Sequence, residues 1–310
     1  APTAETVLAA RGLTKDCGRT RVVEDLSLHV RRGDVFALVG GHGAGKTVDA
    51  HLLLGLVRPT GGTAELFGLR VGPDSVRVFE RVGYLDETPE FHPPLTVQEN
   101  LDLQRRLLGL SDPGAVDRAL AAAGVEWIRD RRAGRLSAAE RRRAGIARAL
   151  IQEPELLVLD EPTADLDALG VREVSQLLER LARDRGVTVF MCTHVRATIA
   201  AAATRVGILR DGRLTQEVSR SEIAARSRAH LEVVVSDAAR AAWLLEETLG
   251  ITDYVVCEEN LIRIYGVLNR AAEVNSCLLD DGLAVSRLNR IEETLEEFLK
   301  RLTDGETEVA

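Results

Sequence analysis

The segment Gly40-Gly41-His42-Gly43-Ala44-Gly45-Lys46-Thr47 limits what this chain can fold into more than any other. An apolar run, Val35-Phe36-Ala37-Leu38-Val39, precedes it, and a helical pattern with Leu52, Leu53, Leu54 and Leu56 follows. This is G-x-x-x-x-G-K-[ST] in its meaningful context of strand, glycine-rich turn and helix. Polyphosphate carries several negative charges that must be held without water. Glycines let successive backbone N–H groups converge on those oxygens, and the helix N-terminus adds partial positive charge. Residues 40–48, including Val48, are therefore expected to cradle a nucleotide's phosphates. Lys46 would reach the terminal phosphates and the Thr47 hydroxyl would ligate Mg²⁺.

At 310 residues the chain has room for two cores. A net charge of −8 argues against nucleic acid as a partner, since phosphate backbones demand a basic face. The Arg-rich stretch 129–148 is the local exception and reads as a solvated helix face. Four scattered cysteines, Cys17, Cys192, Cys257 and Cys277, form no C-x-x-C or Cys/His pattern. They read as reduced thiols of a cytoplasmic protein. No apolar stretch approaches the ~18 residues of a membrane helix. Residues 1–5 lack the basic and apolar regions of a signal peptide. Work at a membrane would thus go through a partner.

The N-terminal 70 residues look β-rich, with strands around Arg32-Gly33-Asp34. A helical lobe is expected over about 90–150. Strand signals return at 156–159, 187–191 and 206–209, the continuous apolar runs of a parallel sheet covered on both faces. Residues 1–220 thus read as an α/β P-loop nucleotide-binding domain with an inserted helical lobe. A polar linker at 221–228 leads to a domain over 229–310. There the order β-α-β-β-α-β is the ferredoxin-like plan, and a last amphipathic helix carries Ile291, Leu295, Phe298, Leu299 and Leu302 on one stripe.

Leu156-Leu157-Val158-Leu159-Asp160-Glu161 is an apolar strand ending in two acids, which a buried strand tolerates when a cation neutralises them. Asp160 is expected to hold Mg²⁺ through water, and Glu161 to polarise an attacking water. Leu136-Ser137-Ala138-Ala139-Glu140 lies between the two motifs. Thr163-Ala164-Asp165-Leu166-Asp167 and His194 come after them. In this order the chain resembles the nucleotide-binding subunit of ATP-binding cassette (ABC) transporters over roughly residues 5–220. The resemblance implies an ATPase with cofactors ATP and Mg²⁺, peripheral at the inner face of the cell membrane and bound to an integral-membrane permease. It implies a homodimer or heterodimer that sandwiches two ATP molecules. Glu161 would be the catalytic base, His194 the switch histidine on the γ-phosphate, and Asp167 the acid of the loop that crosses the dimer. Ser137 and Ala138 would face the partner's nucleotide.

Several residues depart from the family pattern. The signature Leu-Ser-Gly-Gly-Gln has alanines at 138 and 139, and Ser137-x-x-Glu140 reads instead as a helix capping box. Glu87 stands where the family has a metal-contacting glutamine, Cys17 where an aromatic stacks on adenine, and Val48 where a second hydroxyl follows Thr47. At about 1 kcal/mol per lost contact, these predict weaker nucleotide binding and slow or partner-dependent turnover. The loop from Glu87 through Phe91-His92-Pro93-Pro94-Leu95 aligns with the family's permease-docking groove. Segments 264–275, 282–286 and 293–298 resemble the tail of bacterial antibiotic and lantibiotic exporters, though such a tail can also serve only to dimerise. The expected function is thus an ATP-binding exporter subunit for an antibiotic or peptide. The alternative is an ATP-binding regulatory module with little hydrolysis and no transport role.

Overall fold

A computed structural model describes residues 5–40, 46–72, 75–222, 229–257 and 260–291. Gly41, His42, Gly43, Ala44 and Gly45 lie outside the described residues, as do most of the expected linker and the amphipathic stripe beyond Ile291. Among the described residues the chain divides into two compact units, one up to Arg220 and one from Ser221.

In the first unit, β1 (Thr6–Cys17), β2 (Thr20–Arg31), β4 (Gly61–Leu66) and β5 (Leu69–Arg70) form an antiparallel sheet ordered β2-β1-β4-β5. The second sheet holds β3 (Val35–Gly40), β6 (Val82–Leu85), β7 (Leu156–Asp160), β8 (Thr188–Thr193), β9 (Arg205–Arg210) and β10 (Arg213–Ser219). Its order is β10-β9-β3-β8-β7-β6, parallel except for β10 at the edge. Every residue of β3, β7 and β8 is buried, as continuous apolar runs between helical layers require. The shared core joins Leu8, Leu13 and Leu26 of the first sheet to Phe36, Val158 and Phe190 of the second.

Helix α1 (Lys46–Leu53) follows β3, and α2 (Val97–Leu107), α3 (Ala115–Ala123) and α4 (Ala138–Leu150) form the inserted lobe. Both α2 and α4 open with capping boxes, Thr96/Glu99 and the expected Ser137/Glu140. Helix α5 (Ala168–Arg185) is capped by Asp167 and closed by Gly186 at φ 67°, and α6 (Arg196–Ala202) precedes β9. Two expectations are corrected here. Leu56 falls outside α1 and is exposed, because Gly55 at φ 67° turns the chain away after the last helical residues. The Arg-rich stretch is no uniform solvated face either: α4 starts only at Ala138, and Arg142 on it is 7% exposed.

The second unit runs β11 (His230–Val235), α7 (Ala238–Glu247), β12 (Tyr254–Val256), β13 (Leu261–Tyr265), α8 (Ala271–Asp280) and β14 (Val285–Ile291). The antiparallel sheet is ordered β12-β13-β11-β14, the ferredoxin-like arrangement. Leu231, Val233, Ile262 and Ile264 face Ala241, Leu245, Val274 and Leu278 in its own core. The last strand is longer than the sequence suggests. Ile291 pairs with His230 at the end of β14 instead of opening a helical stripe.

Candidate nucleotide site

Parallel strands place their loops at one end of the sheet, so the C-terminal ends of β3, β7 and β8 bring Gly40, Asp160 and Thr193 side by side. Lys46 opens α1 directly beyond the loop from β3. Its Nζ donates to the Gly40 carbonyl at 2.7 Å and stands 3.8 Å from Glu161 Oε1. Glu161 follows β7 at φ 45°, a left-handed conformation that is costly for a residue with a side chain. That turn aims its carboxylate back across the sheet. His194, just past β8, meets it twice: Nδ1 lies 2.8 Å from Oε1, and the backbone N–H donates to Oε2 at 3.2 Å.

Asp160 is completely buried. The Thr47 hydroxyl is near enough to favour its charged form, yet neither carboxylate oxygen has a hydrogen-bond partner of good geometry. Burial raises its pKa, and the charges of Glu161, Glu87 and Asp86 push the same way. A buried acid without partners, beside a hydroxyl, is a hard-oxygen donor set that suits Mg²⁺. Among the described residues no three His, Cys, Asp or Glu side chains converge as a metal cage. Mg²⁺ sites commonly need only one or two carboxylates, with phosphate oxygens and water completing the shell.

Glu87 is exposed on the loop after β6. Its backbone carbonyl accepts a 2.5 Å hydrogen bond from Arg142, and its charge reaches Asp160. Val48 packs against the core cluster, as a side chain without a hydroxyl would. Cys17, at the end of β1, is exposed.

The ABC transporter family model matches residues 23–164. The bacitracin transport ATP-binding protein BcrA of Bacillus licheniformis is 34% identical over 97% of this chain and 99% of its own length. The BcrA protein of Enterococcus faecalis is 36% identical, over 97% of each. This chain is an ATP-binding protein of the ABC transporter family. Among solved structures, cbiO1 from Clostridium perfringens, part of the ABC transporter complex cbiONQ, is 25% identical. It superposes at TM-score 0.65 over 72% of this chain and 92% of that one. The dimeric cassette MJ0796, bound to ADP and Pi, shares the fold at TM-score 0.61 over 68% of this chain.

Residues 136–140, which sequence aligns with the family's signature, lie at the start of α4. Ser137 Oγ accepts from Glu140 N at 3.2 Å, while Glu140 Oε2 accepts from Ser137 N at 2.9 Å. Glu140 also pairs with Arg131, so its carboxylate is committed within the chain. Ala139 abuts Gly170 in the first turn of α5, where Asp167 Oδ1 accepts from Gly170 N at 2.8 Å. Ser137, Ala138 and Asp167 therefore belong to two helix starts packed together.

Two residues beside the site were not singled out from sequence. Asp49, one turn after Lys46, is fully buried, and neither of its oxygens has a hydrogen-bond partner among the described residues. Burial holds its carboxyl well above the usual range, with the Lys46 charge opposing. Arg142 is the second. An acid on the face that carries Ala50, Leu52 and Leu53, and an arginine one turn before Ile146, were the signals available.

Proposed function

We propose that this chain is the ATP-binding subunit of an exporter of a peptide antibiotic, bound to a separate permease at the inner face of the cell membrane. The reading rests chiefly on the near full-length likeness to the bacitracin transport ATP-binding proteins, which spans both units. Among the described residues no helix is long and apolar enough to cross a membrane, so a partner must supply the pathway.

Residues 40–48 bind the phosphates and Lys46 leaves Glu161 for the terminal phosphate, the stronger counter-charge. His194 turns from Glu161 toward the same phosphate. Released from both, Glu161 accepts a proton from the attacking water. Thr47 and Asp160 would hold Mg²⁺, with Glu87 at the edge of its shell, and the ion would offset the charge on the phosphates. Two chains, or this chain and a second cassette, would close head to tail over two nucleotides. Each Lys46 would then face the Ser137–Ala138 segment and Asp167 of the other subunit. In a homodimer the alanines at 138 and 139 weaken both sites, and a heterodimer with an intact partner keeps one good site. Closure would move the loop of residues 87–95, which we assign to the permease contact.

The test is expression of the chain with its permease in a host sensitive to bacitracin-class peptides. Wild type should raise the inhibitory concentration, while Glu161→Gln should retain ATP binding and lose the protection. Equal protection by both would refute coupling of hydrolysis to export. A chain that binds ATP but protects no host would favour the regulatory alternative.

A further inference from the structure

Arg142 is an arginine buried in α4 whose guanidinium has two hydrogen-bond partners, both backbone carbonyls. Nη1 donates to Glu87 O at 2.5 Å, in the loop after β6, and Nη2 lies 3.5 Å from Ala164 O, in the loop after β7. The two loops are far apart in sequence, and one side chain spans them. Taking a guanidinium out of water is costly unless something nearby needs it. Burial lowers the pKa of its guanidinium, and the charges of Asp165, Glu87, Glu161 and Asp160 oppose that shift.

The rest of α4 fixes the same loop. A side-chain carbon at Gly145 would come within 2.7 Å of a Leu85 methyl and 3.0 Å of the Pro89 ring, so α4 packs tightly against the end of β6 and the side chain of the loop's proline. One turn on, Arg148 donates to the Glu90 carbonyl and lies over the Phe91 ring. Residues 85–91 are thus attached to α4 at three successive turns, and Arg142 alone of the three also reaches the loop that carries Glu161.

We propose that Arg142 is a positioning strut that sets the loop of residues 86–91 and the loop of residues 161–167 at a common spacing. A shift of the first loop is thereby transmitted to Glu161 and Asp165. The inference rests on the ATPase reading above for its consequence, though not for its geometry. A guanidinium has nitrogens pointing in different directions and can hold both carbonyls at once, whereas an ammonium is a point donor on a flexible stem. Arg142→Lys therefore separates bridging from charge, and Arg142→Gln removes both.

Two measurements on the full chain test this. In hydrogen–deuterium exchange without nucleotide, both variants should raise exchange in 86–91 and 161–167 together, leaving β3 and β8 protected. In steady-state ATP hydrolysis, both should lower kcat about tenfold or more with KM within about threefold, the pattern of lost positioning. Unchanged exchange in the 161–167 loop would overturn the strut. So would wild-type kcat in Arg142→Lys, which would assign the role to charge alone. Failure of the wild-type chain to hydrolyse ATP would count against the ATPase reading and would leave the exchange result to decide the strut.

Discussion

Replacing Asp49 by leucine should stabilise the first unit, and more so as pH rises. Leucine has the same branching as aspartate and favours a helix, so it suits a fully buried position of α1. In the folded chain Asp49 is fully buried and makes no hydrogen bond among the described residues. Removing an unsatisfied buried polar group is worth about 1–3 kcal/mol. The pH-dependent part adds to this. The carboxyl's folded pKa is raised well above 3.8 by burial, so from about pH 4 upward the unfolded chain has released a proton that the folded chain keeps. The folded state then binds more protons, and wild-type stability falls with rising pH until the folded pKa is passed. The advantage of Asp49→Leu should therefore grow as pH rises above about 4. Urea and thermal unfolding at pH 5, 6 and 7, without nucleotide or divalent cation, would measure it. Asp49→Asn should recover the pH-dependent part while leaving the polar group buried. An advantage equal at pH 5 and 7, or a destabilised leucine variant, would refute the reasoning.

Restoring glycine at both Ala138 and Ala139 should tighten dimer closure and raise ATP turnover by about tenfold, since two methyl groups would no longer obstruct backbone approach to phosphate. Steady-state hydrolysis checks this, and no increase would place the limiting step elsewhere. Thr96→Ala should cost about 1 kcal/mol, or about 2–4 °C in Tm, by removing the cap of α2, with nucleotide affinity unchanged by titration calorimetry. Glu155, held to about 2 by hydrogen bonds from Arg81 and then Arg32, should stabilise the chain above pH 4.5 and lose that contribution as pH falls toward 2. More than a third of each of these side chains is open to water, so acid titration of Glu155→Gln against wild type should show a small difference that vanishes at low pH.

Local sequence determined a good deal of this protein. The apolar runs at 35–39, 156–159 and 187–191 read as buried parallel strands, and the acids at 160–161 as the end of one of them. Ser137-x-x-Glu140 fixed its own capping box, because both partners lie within one helical turn. The ferredoxin-like order followed from short alternating segments, although β14 outran its pattern: pairing of Ile291 with His230 depends on a strand sixty residues earlier. Tertiary structure alone decided which charges are dry. Nothing within a few residues of Asp49 or Arg142 shows that one lies unpartnered beneath Lys46 and that the other spans two distant loops. The contact of His194 with Glu161 joins neighbouring strands through a left-handed turn. Periodicity reports which face of an element is apolar, whereas desolvation and bridging depend on what the other elements bring against that face.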